Sequence, residues 1–514
     1  MDSLDIHQGT AQFPYLSSGH EIRFSFDNTY ARLPERFFAR LDPTPVAAPR
    51  LVKVNVGLAQ ELGLNVDALK SGHGVEVLAG SRVAEGSEPV ALAYAGHQFG
   101  YFVPQLGDGR ANLLGEMVGR AGKRYDIQLK GSGRTPFSRA GDGRAAIGPV
   151  LREYIVSEAM AALGVPTTRA LAAVTTGEWV QRETSLPGAV LTRVAASHLR
   201  VGTFEYFAAQ GDTEGVRTLA DYAIARHYPE IAQARQPYRA LLEGVVARQA
   251  QLIAQWMLLG FIHGVMNTDN TSISGETIDY GPCAFMEAYE PAKVYSSIDH
   301  GGRYAFGNQP RVALWNLARL AESLLPVLAQ ESGSEEAALV AANQALSAFE
   351  PQFEAARGTG MRRKLGLVLE REGDAALAEN LLQCMAVNGA DFTLTFRILC
   401  DAAAGPEGDA GVRALFADPA AYDGWAAGWH RRLEEESADG QARAAAMRRV
   451  NPAYIPRNHL VEAALNAANM RQDLQPFEDL LAVISRPYDD RPELERYLMP
   501  ARPDECVLQT FCGT

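Results

Sequence analysis

The 514-residue sequence has few cysteines and no long uninterrupted apolar run. Its five cysteines are an odd number without Cys-x-x-Cys spacing, which argues against a disulfide framework and a zinc site. The N-terminus lacks a basic region followed by an apolar stretch, and no later segment is apolar for about eighteen residues without a break. We therefore predict a cytoplasmic protein that does not use a membrane as a partner.

Positive charge is also scarce. The net charge is −13 and the sequence pI is about 5.4. These values argue against a general nucleic-acid binder, whose affinity comes from neutralising phosphates over a basic face. Any bound ATP must therefore be met by a local cluster of cations. Apolar residues form 47% of the sequence, enough for sizeable cores in two or three domains or in one large domain with extensions.

The sequence does contain strand-like segments joined by glycine-rich turns. Tyr101–Leu106 and Ala111–Val118 flank Gly107-Asp-Gly-Arg110, which predicts a strand, a tight turn and a second strand. The alternating segment Tyr125–Lys130 predicts the next strand, with a lysine at its end. Asn112 stands where a Gly-x-Gly-x-x-Gly motif would have its third glycine, so an ordinary hairpin turn remains an alternative to a phosphate-binding turn.

A helix is predicted after these strands, from Pro149 to about Leu163. This order of strands, lysine and helix is that of a protein-kinase N-lobe, in which a glycine turn approaches phosphates and a glutamate holds the lysine. The helix carries both Glu153 and Glu158, and the helical wheel does not decide which of them would pair with Lys130.

Two arginines follow in a region of predicted strands. Arg193 lies inside the strand-like run Gly188–Val194, and Arg200 lies seven residues later. An arginine buried without a partner is costly, so Arg193 should meet either a carboxylate or a phosphate. The residues alone leave both possibilities open.

The most specific chemistry lies on two neighbouring segments. Asp269 and Asn270 are adjacent, and Asp279 lies nine residues beyond Asn270. These are hard oxygen ligands, the kind that holds a Mg²⁺–nucleotide complex. The residues between them, Thr271–Ile278, predict a small hairpin that turns at Gly275 and brings Asp279 back toward Asn270.

The kinase comparison shows one important absence. In the motif His-Arg-Asp-x-x-x-x-Asn the catalytic aspartate lies five residues before the asparagine, and here Val265 has that position relative to Asn270. Valine accepts no proton, although Ile278-Asp-Tyr-Gly281 still resembles the kinase Asp-Phe-Gly metal motif. The protein is therefore either catalytically dead or performs different chemistry. His263 could be a metal ligand, but a buried histidine bonded to the backbone is the favoured interpretation.

A set of motifs resembles the selenoprotein O family over nearly the whole chain, from Phe26–Tyr30 to the terminal Cys512-Gly-Thr. The motifs are Tyr94–Gly100, Gln105–Arg110, Gln128–Arg134, Arg152–Tyr154, His263–Asn270, Ile278–Pro282 and Asn451–Tyr454. Members of that family are kinase-like proteins that bind ATP in a flipped orientation. They transfer AMP, rather than phosphate, to protein hydroxyls.

The motif order and the resemblance imply an α+β, protein-kinase-like fold with a β-rich N-lobe, a mostly helical C-lobe, an N-terminal segment and a C-terminal helical extension. The predicted divisions are an N-terminal segment 1–88, the N-lobe 89–200, the C-lobe with catalytic loop and metal motif 201–310, the helical extension 311–505 and a tail 506–514. In the helical extension, Trp315, Trp425 and Trp429 are expected to be core residues.

The resemblance also implies roles for individual residues. Asp269 would act as general base, while Asn270 and Asp279 would hold Mg²⁺ or Mn²⁺. Cys512 stands where some eukaryotic members carry selenocysteine, which makes it a possible redox switch or simply a free thiol. The implied contacts to ATP are Gly107, Gly109, Arg110, Lys130, Asp142, Gly143, Arg193, Arg200 and Asp279.

Within that set, Lys130, Arg193 and Arg200 would form a basic pocket for the distal phosphates. Glu153 would orient Lys130 through an ion pair, a choice over Glu158 that rests on the family motif alone. Attack at the α-phosphorus needs a base near the acceptor hydroxyl, a metal ion on the phosphates and cations on the leaving pyrophosphate. These residues supply one of each.

Three functions remain. The first is a protein adenylyltransferase that transfers AMP from ATP to Ser, Thr or Tyr hydroxyls of proteins and releases pyrophosphate. The second is a γ-phosphotransferase that uses Asp269 in place of the missing base, and Val265 weighs against it. The third is a non-catalytic nucleotide-binding scaffold, against which the position of Asp269 beside the predicted metal ligands weighs.

Overall fold

The structure is a computed structural model that describes residues 22–511. Cys512 lies outside the described residues, so its redox role stays a prediction. An antiparallel sheet dominates the N-terminal part and helices dominate the C-terminal part, which confirms the α+β class. The kinase-like arrangement of the two parts stays a prediction.

Twelve strands occur in the described part of the chain. They are β1 (Phe38–Arg40), β2 (Arg50–Val54), β3 (Val90–Leu92), β4 (Gly96–Gln98), β5 (Tyr101–Val103), β6 (Ala111–Val118), β7 (Arg124–Lys130), β8 (Ala145–Ala146), β9 (Arg169–Gln181), β10 (Ser185–Ala195), β11 (Phe261–Ile262) and β12 (Ala284–Phe285). The main sheet has the order β1-β3-β6-β7-β10-β9-β2, and β8 pairs with β10.

The predicted pairing of Tyr101–Leu106 with Ala111–Val118 around a tight glycine turn is wrong. β5 pairs with β4 in a separate two-stranded sheet, whereas β6 pairs with β3 and β7. The connecting loop bonds instead to the end of β3 and the residues after it: Leu106 N donates to Tyr94 O over 2.9 Å and Asp108 N donates to Leu92 O over 2.9 Å. Burial of Leu106 is the physical reason, since it draws the loop inward.

Seventeen α-helices occur among residues 22–511. The first seven are α1 (Val56–Leu62), α2 (Val66–Lys70), α3 (Gly72–Leu78), α4 (Ile147–Ala162), α5 (Val201–Ala209), α6 (Thr213–His227) and α7 (Pro237–Leu259). The others are α8 (Gln309–Ser332), α9 (Glu335–Ser347), α10 (Phe349–Lys364), α11 (Asp374–Asn388), α12 (Phe392–Ala402), α13 (Asp409–Arg413), α14 (Pro419–Leu433), α15 (Gly440–Arg448), α16 (Asn458–Arg471) and α17 (Gln475–Ile484). The helix predicted from Pro149 to Leu163 is confirmed as α4.

The predicted hairpin between Asn270 and Asp279 is wrong in its pairing. Ser272 pairs with Arg200 and Thr277 pairs with Thr167, so the segment fills a space between two other parts of the chain. The turn at Gly275 is present, with a φ of 81°. These outside partners, rather than each other, satisfy the backbone groups of the segment.

Several apolar cores hold the site in place. One core joins β3 and β6 to helices α4 to α10, and a second fills the region of α11, α12 and α14. Trp425 and Trp429 are buried in the second core, as predicted, at 7% and 0% exposure. Trp315 is only half-buried, so its assignment to the core is wrong.

One described segment, Phe306–Ser332, is long and apolar enough to cross a membrane by length and composition. Its most apolar window has a mean hydropathy of 1.3, and 56% of that window is buried inside the protein. The segment contains α8, which packs against α5, α7 and α9. Such packing is that of a core helix.

Candidate active site

Asp279 is the centre of a cluster of buried charges. Its Oδ1 accepts hydrogen bonds from Lys130 Nζ and from Arg193 Nη1, both at 2.7 Å. Its Oδ2 accepts from Arg200 Nη1 at 2.9 Å. Burial alone would raise the pKa of Asp279, but the three cations hold it well below the usual range. We call these four residues and Glu153 the Asp279 cluster.

The backbone at Asp279 is unusual, with a φ of 64°. A residue other than glycine adopts this left-handed conformation only where its surroundings hold it there, and such residues concentrate at functional sites. Three hydrogen bonds from cations fix the side chain of this residue.

The three cations of the cluster lie on neighbouring elements of the fold. Lys130 ends β7, and Arg193 lies on the adjacent β10, opposite Gln128 in the sheet register. The Gln128 side-chain oxygen accepts from Arg193 Nε at 3.1 Å and Nη2 at 2.6 Å. Arg200 directly precedes α5 and stacks on the Tyr94 ring at 4.6 Å. Arg193 therefore meets carboxylates in this structure, and contact with a phosphate stays a prediction.

Glu153 completes the cluster from α4. Its Oε2 accepts from Lys130 Nζ at 2.6 Å and its Oε1 from Arg193 Nη1 at 3.1 Å. Glu158, on the same helix, binds Arg169 instead, at 2.7 Å and 2.9 Å. The structure thus answers the question that the helical wheel left open, in favour of Glu153.

Asp269 lies in a short 3-10 turn, Thr268–Asn270, and has a very different environment. It is 8% exposed, and in the described part of the chain its Oδ1 has no hydrogen-bond partner. Its Oδ2 has one long contact, from Gln98 Nε2 at 3.4 Å. Burial raises the pKa of Asp269 to about 7, although the Arg200 charge opposes this. The carboxylate is thus available to accept a proton.

One hydrogen bond fixes the side chain of Asn270. Its Nδ2 donates to Val265 O at 3.0 Å, which leaves its side-chain oxygen as an acceptor. No group of three or more His, Cys, Asp or Glu side chains able to hold a metal ion occurs within residues 22–511. Mg²⁺ commonly binds one or two carboxylates, with water and substrate phosphates as its other ligands. The Asn270 amide oxygen fits such a hard cation, whereas both Asp279 oxygens accept hydrogen bonds from Lys130, Arg193 and Arg200 in this structure.

His263 is a structural residue, as the sequence favoured. It is 1% exposed, its Nε2 contacts Ile278 O at 2.9 Å, and its Nδ1 accepts from Val265 N at 3.3 Å. Burial lowers its pKa, so the ring is neutral. The histidine therefore ties the loop that carries Asp269 to the segment that carries Asp279.

The loop around Gly107 and Gly109 packs against a second loop. A Cβ atom on Gly107 would lie 2.3 Å from the Phe137 ring, and one on Gly109 would lie 2.9 Å from Phe137 O. Close packing of the two loops therefore explains these glycines without a nucleotide. The backbone oxygen of Arg110 accepts from Gly131 N at 2.7 Å, while its half-buried guanidinium has no partner among the described side chains.

Asp142 and Gly143 shape the second loop. Asp142 binds Arg182 at 2.9 Å, and this hydrogen bond lowers its pKa. Gly143 has a φ of 71°, and a Cβ there would lie 2.1 Å from the Gly133 carbonyl carbon. Among residues 22–511 neither residue contacts the Asp279 cluster, so their predicted contacts with ATP stay predictions.

Comparison with known proteins now adds to this geometry. The sequence model described as Protein adenylyltransferase SelO matches residues 20–485. The chain belongs to this family of nucleotidyltransferase enzymes. A Protein nucleotidyltransferase YdiU from Methylorubrum extorquens is 64% identical over 497 residues, which are 96% of this chain and 99% of the relative. The protein of the same name from a Bradyrhizobium species is 64% identical over 493 residues, 96% of this chain and all of the relative.

The sequence-based predictions did not include every residue of this candidate site. Glu205 on α5 is a buried carboxylate that bonds to His97 Nδ1 at 2.5 Å and to the Thr268 hydroxyl. Gln98 is the side chain that reaches Asp269. Both His97 and Gln98 lie in Tyr94–Gly100, a motif that marked the family resemblance but to which no role was given. Two polar side chains, His97 and Gln98, directly after Gly96 were the sequence signal that could have indicated a role in the site.

Proposed function

We propose that this protein transfers AMP from ATP to Ser, Thr or Tyr hydroxyls of other proteins and releases pyrophosphate. The observation that supports this most directly is the contrast between the two aspartates of the site. Asp279 is held by three cations, whereas Asp269 has a free oxygen among the described residues and a pKa of about 7. Paired titratable groups with opposite pKa shifts mark a division between a binding group and a proton-transfer group. Membership of a protein adenylyltransferase family supports AMP as the transferred group.

In this proposal the Asp279 cluster binds the phosphates of ATP. Three cations and two carboxylates leave one net positive charge on side chains that are between 2% and 20% exposed. Fixed charges in such an environment stabilise the charge that develops on a leaving pyrophosphate. Lys130 has the most exposed side chain of the three cations, at 14% against 2% for Arg193 and 3% for Arg200. Lys130 would therefore contact phosphate directly, and the two arginines act mainly through their charge.

Asp269 is the group that accepts the proton of the attacking hydroxyl. A general base must lie within hydrogen-bond reach of that proton and be ionised at the working pH. A divalent cation held by Asn270 and Asp279 would neutralise phosphate charge and would favour the ionised form of the nearby Asp269. In the cytoplasm, which we propose as its location, Mg²⁺ or Mn²⁺ could serve.

The test is parallel incubation of the full chain and a mixed protein substrate with α-labelled and γ-labelled ATP, in Mg²⁺ and in Mn²⁺. Label from the α-phosphate should appear on protein, and pyrophosphate should appear in solution. Transfer of γ-label without α-label would replace the proposal with phosphotransfer. Nucleotide binding without transfer of either label would indicate a scaffold.

A further inference from the structure

The hairpin formed by β4 and β5 has a strained turn. Its two central residues, Phe99 and Gly100, have φ values of 53° and 89°. A two-residue turn with both φ values positive is usual for a hairpin, but a phenylalanine in the first place is not, because its side chain disfavours this conformation. Hydrogen bonds hold it there: Phe99 N donates to Asn267 Oδ1 at 3.2 Å and to Tyr304 Oη at 3.0 Å. Strain maintained in this way points to a function.

One side of the hairpin lies against the proposed base. His97 N donates to the Thr268 hydroxyl at 2.7 Å, and Gln98 contacts Asp269 directly. The approach at Gly96 is close enough that a Cβ atom there would lie 2.6 Å from Asp269 Oδ1. The hairpin therefore forms one wall beside the carboxylate that an acceptor hydroxyl must reach.

The hairpin also exposes aromatic side chains to solvent. Tyr101 is 80% exposed and Phe102 is 40% exposed. The Phe102 ring lies 5.0 Å from the His97 ring, and the His97 ring meets Trp315 edge-on at 5.2 Å. Phe102, His97 and Trp315 therefore form a continuous strip of rings from β5 to α8. Exposed aromatic residues of this kind are enriched at protein interfaces.

Arg303 adds a positive charge at the edge of this strip. Its guanidinium stacks on Trp315 at 4.7 Å and lies 3.4 Å from the position that a Cβ of Gly100 would take. Within residues 22–511 no carboxylate lies within ion-pair distance of it, and the carboxylate of nearby Asp299 instead accepts from the backbone N–H groups of Arg303 and Tyr304. The other arginine on Trp315, Arg319, is paired with Glu322 at 2.7 Å.

The stacked Arg303 guanidinium thus meets no carboxylate within residues 22–511, although the net charge of the chain is −13. The overall charge repels an acidic partner, so a single cation on an aromatic surface gives that partner one preferred place and orientation. We name the hairpin face: residues 96–103 together with Arg303 and Trp315.

We propose that the hairpin face docks an acidic segment of the acceptor protein, with Arg303 binding a carboxylate and the rings packing against the segment. The acceptor hydroxyl then lies on the inner side of the hairpin, at Asp269. This inference rests on the proposed function, because it assigns a substrate class to the same site. It makes Arg303 a specificity residue.

The test uses fluorescent peptides that contain one serine flanked by aspartates, by asparagines or by lysines. Fluorescence anisotropy with the full chain should show the aspartate peptide binding about tenfold more tightly than the asparagine peptide, the range of one charge-assisted hydrogen bond. Arg303→Glu should remove this preference and favour the lysine peptide. Tyr101→Ala should weaken all the peptides by a similar factor. Arg496→Glu is the control, because Arg496 has a 71% exposed side chain and lies outside the hairpin face.

Equal binding of the aspartate and asparagine peptides would overturn the proposal, as would a preference for aspartate that survives in Arg303→Glu. Thermal unfolding of each variant shows whether it is folded. Since anisotropy requires no transfer, its result does not depend on the proposed chemistry. α-Labelled ATP is then added to the same peptides: binding with the expected preference but without label would contradict AMP transfer and leave the docking surface in place. With transfer, Arg303→Glu should raise KM for the aspartate peptide more than it lowers kcat.

Discussion

The two ends of the candidate active site shift the pKa of an aspartate in opposite directions. At one end, Lys130, Arg193 and Arg200 surround Asp279 and lower its pKa. At the other end, the hairpin lies against Asp269, whose Oδ1 has no partner among the described residues and whose pKa is raised. Asp269 is 8% exposed and the Asp279 side chain is 20% exposed, so the neighbours are the main difference between the two aspartates.

The two opposite pKa shifts change the stability of the fold in opposite directions. An aspartate whose folded pKa is lowered adds stability above its ordinary pKa, and this contribution is lost as the pH falls. An aspartate whose folded pKa is raised costs stability, and this cost grows as the pH rises from the ordinary value of 3.8 to about 7. The Asp279 end therefore helps to hold the fold together, whereas the Asp269 end reduces stability, as expected of a group kept for reactivity.

The largest effect is expected from Asp279→Asn. It should abolish transfer and metal-dependent ATP binding, because it removes the charge on which the cluster converges. It should also lower stability by about 3 kcal/mol, the scale for breaking a buried charge pair. Label transfer, ATP titration with and without Mg²⁺, and thermal unfolding measure the three effects. Asp504→Ala, at a 77% exposed side chain, is the control. Normal transfer by Asp279→Asn would refute the metal and phosphate assignment of this end.

Asp269→Asn should distinguish the role of Asp269 in transfer from the role of Asp279 in ATP binding. Transfer should fall by about 10²–10⁴-fold, the usual contribution of a general base, while ATP affinity changes little. With a chelator present at pH 8, the variant should be at least as stable as the parent, since it no longer carries a buried charge that costs stability. Kinetics with α-labelled ATP and denaturant unfolding give the two readings. A loss of ATP binding equal to that of Asp279→Asn would show that both carboxylates serve in ATP binding and would contradict separate roles.

Gly96→Ala tests whether the hairpin positions the base. The added methyl group would meet Asp269 Oδ1 at 2.6 Å and displace it. Transfer should fall by about tenfold or more, because small displacements of a reacting group are costly, while ATP binding is unchanged. Gly72→Ala is the matched control, since nothing lies within 4 Å of a Cβ there. Equal activity of the two variants would mean that the hairpin does not position Asp269.

The sequence predicted the elements that local pattern determines. The alternation of Tyr125–Lys130 and the proline at 149 located β7 and α4, and the adjacent Asp269 and Asn270 indicated the loop of the site. Strand pairing was harder, because a glycine turn between two apolar runs looks the same whether or not the runs pair. The burial of Leu106, a tertiary effect, decided against the predicted hairpin.

The pairing of charges was also beyond the sequence. Arg193 could meet a carboxylate or a phosphate, and only the fold shows that Asp279, eighty-six positions later, reaches it. Likewise Trp315 belongs to an apolar helix and looked like a core residue, yet Arg303 and His97 cover it at the surface. Contacts between residues far apart in the chain carry no local signal.

The smallest effect is expected from substitutions at two glutamates on α4, one of which, Glu153, belongs to the Asp279 cluster. Glu153→Gln keeps one acceptor oxygen but replaces the other with a donor NH2 group, and it removes the charge that balances Lys130 and Arg193, so both cations should shift toward Asp279. We expect kcat/KM for ATP to fall by about tenfold, as for other residues that orient a ligand group. Glu158→Gln makes the same chemical change farther along the helix, where the partner is Arg169, and should lower thermal stability slightly without affecting kcat/KM. If the two variants reduce activity equally, the effect is one of helix stability and Glu153 has no special role at the Asp279 end.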